Sequence, residues 1–160
     1  MNRYIHYGSD KFDINKFLPI VNQDYDWTKP KQGGIWASPI DAEFGWQQWC
    51  ISEDFHVNKL NNYFVFDLLP TARICHIRSI YDLKKLPKLS PIVQSMYYNI
   101  DFELAKKRYD AIQLHLSEET RCGDYLESLY FKLYGWDCDS ILIMNPDIIK
   151  QEDKNDRNKI

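Results

Sequence analysis

Trp36, Trp46 and Trp49 crowd into one short stretch, between Gly33 and Cys50, of a chain with five tryptophans in all. Indole planes on neighbouring elements can hold a flat, positively charged ring by stacking and by attraction of the cation to the π face. A second candidate is the segment Ile5-His6-Tyr7-Gly8-Ser9. There Gly8 would let a ligand approach the backbone, whose N–H and C=O can read a carboxamide, and Ser9 could cap the next element. A third is Asp137-Cys138-Asp139-Ser140, which opens the apolar run Ile141-Leu142-Ile143-Met144. Period-two geometry is expected to put Asp137 and Asp139 on one face at the strand's mouth.

Each segment also has a purely structural explanation. His6 fits a strand that ends in a turn, the tryptophans fit a core, and the two aspartates fit turn and cap positions. Three features of the tryptophan stretch favour a ligand. Gly33-Gly34 exposes backbone, Gly45 sits where a helix is expected and implies close packing or ligand approach, and Gln47-Gln48 makes the far face polar. The nicotinamide end of NAD⁺ is a flat cationic ring of the required kind.

These side chains need elements to position them. Strands are expected over residues 3–7, 34–37, 63–68, 73–78, 110–114 and 140–144, from β-branched and aromatic content between turn residues. The clearest helix signal begins at Ser38, with Pro39 at the first helical position and Asp41 three residues after the cap. On that helix Trp46 and Trp49 share a face. Further helices are expected over 79–85, 101–107 and 123–133, the last with a stripe of Leu126, Leu129, Tyr130 and Leu133. The stretch from Val21 to Gln32 reads as a polar loop. Residues 1–150 are expected to form one domain and 151–160 a flexible polar tail. Strands without regular βαβ alternation imply an α+β fold: two small, mainly antiparallel sheets around a cleft, with peripheral helices.

Composition narrows the functional classes. The chain has 160 residues, 44% of them apolar and 15% aromatic, which suits one packed core. Its net charge is −3, from 20 basic and 23 acidic residues, so no extended nucleic-acid surface is evident. Cys50, Cys75, Cys122 and Cys138 form no C-x-x-C pair and read as buried free thiols. No metal site is expected, because His56, Cys75, His76 and His115 lack ligand spacing. The first residues are mixed in polarity, and no apolar run approaches the roughly 18 residues of a membrane-spanning helix. A reduced, cytoplasmic setting without membrane partners is therefore expected.

Taken together, and in this order, the three segments resemble the ADP-ribosyltransferase fold in its diphtheria-toxin and poly(ADP-ribose) polymerase branch. That branch carries a His-Gly pair on its first strand, then a G-I-Y-F-A-type strand with a following S-x-N-Y helix, and finally an acid opening a late apolar strand. Ile5-His6-Tyr7-Gly8-Ser9 resembles the first motif. Gly34-Ile35-Trp36-Ala37, followed by Trp46 and Trp49-Cys50, resembles the second, and Asp139-Ser140-Ile141-Leu142-Ile143 the third. Tyr7 interrupts the His-Gly pair, so His6 or Tyr7 fills the histidine's place. Tryptophans replace tyrosines, so Trp46 or Trp49 closes the sandwich. An aspartate stands where most active members have glutamate.

The resemblance implies NAD⁺ as substrate, bound by His6, Tyr7, Gly8, Ser9, Trp36, Ser38, Trp46 and Trp49, with Asp139 and His6 as the catalytic pair. Losing nicotinamide moves positive charge onto the ribose, where a fixed carboxylate, Asp139, would stabilise it. The Gly8 backbone would hold the carboxamide, and His6 would contact the distal ribose. The expected activity is ADP-ribosyl transfer with release of nicotinamide. The acceptor is unidentified: a protein side chain, a nucleic-acid base or end, water or a small molecule. Toxin-like, phage-encoded and housekeeping roles all fit. The alternative within the fold is an inactive NAD⁺- or ADP-ribose-binding module. A different class, a cysteine-nucleophile hydrolase, would use Cys50 with His56 or His76.

Overall fold

The strongest strand signals belong to the two runs that are buried along their whole length, Ala111–Leu114 and Ser140–Ile143, and these form the middle of the main half-sheet. In the computed structural model, which describes residues 3–90, 95–116 and 126–151, the strands are β1 (Arg3–Tyr7), β2 (Ile35–Pro39), β3 (Tyr63–Leu68), β4 (Ile74–Ile77), β5 (Ala111–Leu114), β6 (Ser140–Ile143) and β7 (Ile149–Gln151). They join in one seven-stranded sheet in the order β4-β5-β6-β2-β1-β3-β7. The β4–β5 pair is parallel and the remaining pairings are antiparallel. The protein is thus a mixed α/β single domain with a mainly antiparallel sheet and short helices.

Period-two alternation divides the core between the two faces. Cys75, Ile77, Ile112, Leu114 and Leu142 point to one side, where Trp136 and the helices pack. Tyr4, Ala37, Ala111, Ile141 and Ile143 point to the other, against Phe64 and Phe66. Asp110 ties three strand ends together. It takes two bonds from the Arg73 guanidinium and one from the Arg73 N–H, with a fourth from the Asn145 side chain at 3.0 Å.

The sheet has one weak seam. β1 pairs with β3 through all five of its residues, but with β2 only through Tyr4–Pro39 and Ile5–Ser38. Beyond Ile5 the two strands part, and the candidate site opens in the wedge between them.

The helices are α1 (Trp46–Ser52), α2 (Ile80–Leu83), α3 (Phe102–Ala105) and α4 (Leu129–Lys132). Ser79, Asp101 and Ser128 cap the last three, each accepting the N–H three residues on. The helix expected at Ser38 is corrected. Pro39 ends β2 opposite Tyr4, and the helix starts only at Trp46, with Gly45 as its N-cap. Ser38 still caps it from a distance, its Oγ accepting the Trp46 N–H at 2.9 Å, while Gln48 Oε1 accepts the Gly45 N–H at 3.0 Å. A Cβ on Gly45 would lie 3.1 Å from that of Ser38, so close packing accounts for this glycine.

The helix expected over 123–133 covers only Leu129–Lys132 among the described residues, and 117–125, with Cys122, lie outside them. β7 replaces the start of the expected tail, pairing with β3, and residues 152–160 lie outside the described set.

Candidate functional site

The wedge between β1 and β2 encloses a cavity of about 260 Å³. Trp36 comes from β2, Trp46 from the first turn of α1, and Trp136 and Asp137 from the segment ahead of β6. Trp36 meets the buried Trp136 edge to face, with ring centroids 4.7 Å apart and planes at 79°. Trp46 and Trp36 are each partly buried, leaving ring surface for a ligand. Trp49 does not line the cavity. It stacks on Trp46 at 5.0 Å and 17°, and Phe55 closes on both edge-on. The resulting aromatic wall has one free indole and one backing indole.

His6 bridges the seam: its Nδ1 lies 2.7 Å from the Trp36 carbonyl oxygen. A carbonyl only accepts, so Nδ1 carries the proton and, in the neutral ring, Nε2 keeps its lone pair. Burial holds the His6 imidazole below its usual range, with the Trp36 bond opposing in part. Tyr7 also lines the cavity, and its hydroxyl donates to Gln47 Oε1 at 3.3 Å.

Asp137 is the acid that shares this space with the indoles. Burial pushes its carboxyl above the usual range, partly offset by the Lys29 cation and a bond from the Gly135 backbone. Lys29 reaches the cavity because the loop from Val21 to Gln32 is fastened down. Val21 and Gln32 bridge its base, Thr28 Oγ1 donates to the Tyr134 carbonyl at 2.6 Å, and Trp136 Nε1 donates to the Thr28 carbonyl at 3.1 Å.

Asp139, the sequence-derived catalytic acid, is elsewhere, and this is a correction. β6 begins at Ser140, so Asp137 lies outside the strand's alternation and the two acids do not share a face. Asp139 Oδ1 accepts the Leu116 N–H at 2.5 Å, and its own N–H donates to the Phe44 carbonyl. It lines a separate basin of about 540 Å³ with Arg3, Glu43, Arg78 and His115.

Gly8 and Ser9 lie apart from this cavity. The Gly8 N–H donates to the Asn62 carbonyl at 2.8 Å, Ser9 Oγ closes a turn on the Lys11 carbonyl at 2.7 Å, and neither residue lines the cavity. Close packing accounts for Gly33-Gly34. A Cβ on Gly33 would strike the Pro19 carbonyl at 2.2 Å, and one on Gly34 would meet Leu142 at 2.6 Å.

Other candidates can be placed equally clearly. Cys50 is fully buried and burial raises its thiol pKa, the opposite of what a nucleophilic thiolate needs. Cys138, next to the cavity, is pushed up to about 12 by burial, with the Ser38 hydroxyl opposing. Cys50, Cys75 and Cys138 are free thiols. His76 and His115 pair across β4 and β5, Nδ1 to Nε2 at 3.0 Å, a contact the sequence did not suggest. Among the described residues, no group of three or more potential ligands gathers for a metal ion, and no helix is long and apolar enough to cross a membrane.

Trp136 and Lys29 were missed at the sequence level. Trp136 stands directly before Asp137 in a segment read only for its acids, whereas nothing in the sequence around Lys29 marks it. Comparison with family models, with curated proteins and with solved structures gives no match.

Proposed function

We propose that the protein is an NAD⁺-dependent ADP-ribosyltransferase whose nicotinamide site is the cavity between β1 and β2. The observation that carries this reading is the meeting, in one space, of partly open indoles from the first third of the chain with a carboxylate from its far end. The parting of β1-β3-β7 from β4-β5-β6-β2 at the seam supports two sheets flanking an NAD⁺ cleft. A volume of about 260 Å³ suits one end of a dinucleotide, since sites for whole drug-sized ligands run to roughly 300–1,000 Å³.

In this reading Trp36 and Trp46 hold the pyridinium, and Asp137 takes the catalytic role expected of Asp139. As the nicotinamide–ribose bond breaks, its electron pair neutralises the ring, and the ribose becomes an oxocarbenium ion. The Asp137 carboxylate, partly buried beside the indoles, faces that charge, where electrostatic stabilisation is stronger than in open water. The lone pair on His6 Nε2 accepts a ribose hydroxyl proton in a hydrogen bond, fixing the sugar. The acceptor then attacks the cationic carbon, and its proton is released to solvent.

The second reading, a module that binds NAD⁺ or ADP-ribose without turnover, draws on the same acid. Lys29 already offsets Asp137, and burial favours its neutral form, both of which weaken its hold on a developing cation. Incubation with nicotinamide-labelled NAD⁺ separates the two. Transferase activity releases labelled nicotinamide and Asp137→Asn stops the release, whereas a module quenches indole fluorescence without release. If NAD⁺ does neither, both readings fall.

A further inference from the structure

We infer that the basin holding Asp139 is a second binding site, for an elongated zwitterion whose carboxylate sits on Gln113 and Arg78 and whose amine sits on Asp41 and Glu43. It is separate from the indole cavity and needs no NAD⁺ there. The basin, of about 540 Å³, lies over one end of five strands. Continuing the strand registers places Arg78, His115, Asp139, Pro39 and Tyr4 in one row across β4, β5, β6, β2 and β1, and all five line the basin.

Gln113, on β5, supplies the built part of the site. It is 5% exposed, and its Oε1 accepts the buried Tyr4 hydroxyl at 2.9 Å. Burial, with Asp41 adding to it, pushes that hydroxyl up to about 12, so it keeps its proton and remains the donor. The Gln113 NH₂ is thereby left to the basin. Among the described residues it has no hydrogen-bond partner, yet it is not sealed from solvent. A donor fixed in a nearly buried wall calls for an acceptor that enters from the basin.

Charges of the two signs stand on different sides of the row. The exposed Arg78 guanidinium has no partner among the described residues, because Asp82 is taken by Lys85, Ser79 and the Arg78 N–H. His115 beside it is engaged with His76. On the other side Asp41 and Glu43, in the turn after β2, are exposed and unpaired among the described residues. Asp139 adds to that side while holding the Leu116 N–H, and Arg3 at the far edge is matched by Asp67. β6 separates β5 from β2, which sets the donor and acid walls about 10 Å apart at ordinary strand spacing. A simple anion would face three carboxylates, and a simple cation would face Arg78. A chain charged oppositely at its two ends satisfies both walls, with Pro39 and Ala42 giving apolar surface to its middle.

The test uses the full isotope-labelled chain and three probes of one length, ε-aminocaproate, caproate and hexylamine, with affinity read from the Gln113 side-chain amide resonance. The wild-type protein should bind ε-aminocaproate about tenfold more tightly than either singly charged probe, the size of one charge-assisted hydrogen bond. Arg78→Gln should erase most of its advantage over hexylamine, and Asp41→Asn with Glu43→Gln most of its advantage over caproate. These are surface positions, so Tm should stay near wild type. N-methylnicotinamide, which mimics the pyridinium end of NAD⁺, should bind both variants as it binds the wild type. Equal binding of the three probes, an unmoved Gln113 amide, or an advantage that survives both sets of substitutions overturns the inference. A parallel loss of N-methylnicotinamide binding also overturns it, because the basin would then not be a separate site.

Discussion

The His6 imidazole and the Trp36 carbonyl are joined at 2.7 Å across the seam where β1 and β2 diverge. Two strands that no longer pair there are thus held at a fixed spacing by one side chain. The same bond keeps the proton on Nδ1 and leaves the lone pair on Nε2.

His6→Asn should separate these roles. An asparagine amide can donate to Trp36, but it puts no lone pair where Nε2 lies. We expect His6→Asn to keep a Tm close to wild type while nicotinamide release falls roughly 10²-fold, the scale of losing one positioned catalytic hydrogen bond. His6→Ala should lose both. Nitrogen chemical shifts of the wild type should report a neutral ring protonated at Nδ1 near pH 7.

The two acids of the segment ahead of β6 have opposite predicted phenotypes. Burial disfavours the Asp137 carboxylate in the folded state, so its charge costs stability above the usual carboxylate range. Asp137→Asn should raise Tm and lower nicotinamide release by about 10²-fold or more. Asp139→Asn keeps an acceptor for the Leu116 N–H and should retain turnover. Asp139→Ala orphans that N–H and should cost about 1–3 kcal/mol in denaturant unfolding. Loss of turnover in Asp139→Asn with full activity in Asp137→Asn would overturn the assignment.

Asp137 and Asp139 line different cavities, a separation that local sequence pattern does not encode. The strand cores were legible because runs such as Tyr63–Leu68 carry their own β-branched and aromatic pattern, and the observed bounds agree. The place of Asp137 beside the indoles was not legible, because it depends on where β6 begins. Alternation puts residues 137 and 139 on one face only if the strand includes both, and it starts at Ser140. The helix start was hidden for a related reason. Ser38 and Pro39 satisfy the local rules for a helix N-terminus, yet pairing of Pro39 with Tyr4 claims them for the sheet. Lys29 enters the site only through the contacts of Thr28 with Tyr134 and Trp136, and such long-range contacts leave no periodic trace.

Trp46 and Trp49 are stacked, but only Trp46 lines the cavity. Trp46→Ala should weaken binding of N-methylnicotinamide by calorimetry about 3- to 30-fold, the range of a partly desolvated cation–π contact. Trp49→Ala should weaken it less, by releasing Trp46 from its backing ring. Trp49→Phe should restore it, since a phenyl face still supports the indole. Equal losses in Trp49→Phe and Trp46→Ala would show that Trp49 itself touches the ligand.

Acid should weaken the fold in two separate stages. Burial, helped by the Arg78 cation and by His76, lowers the His115 pKa from 6.5 to about 4, and Asp82 opposes the shift. The folded protein therefore keeps His115 neutral while the unfolded chain protonates it. Its contribution to stability is present above pH 6.5 and is lost as the pH falls toward 4. Protonating both rings would also break the bond between His76 Nδ1 and His115 Nε2. The second stage belongs to Asp110, which its bonds from Arg73 hold at about 2 against an ordinary 3.8. Its contribution is present above pH 3.8 and disappears as the pH drops toward 2. Asp137 runs the other way, since protonating it relieves a buried charge. Chemical denaturation at a series of pH values should show unfolding free energy falling between pH 6.5 and 4 and again below 3.8. His115→Asn should flatten the first stage and leave the second. A first stage that is unchanged in His115→Asn would assign it to His76 or His6, whose pKa values burial also lowers.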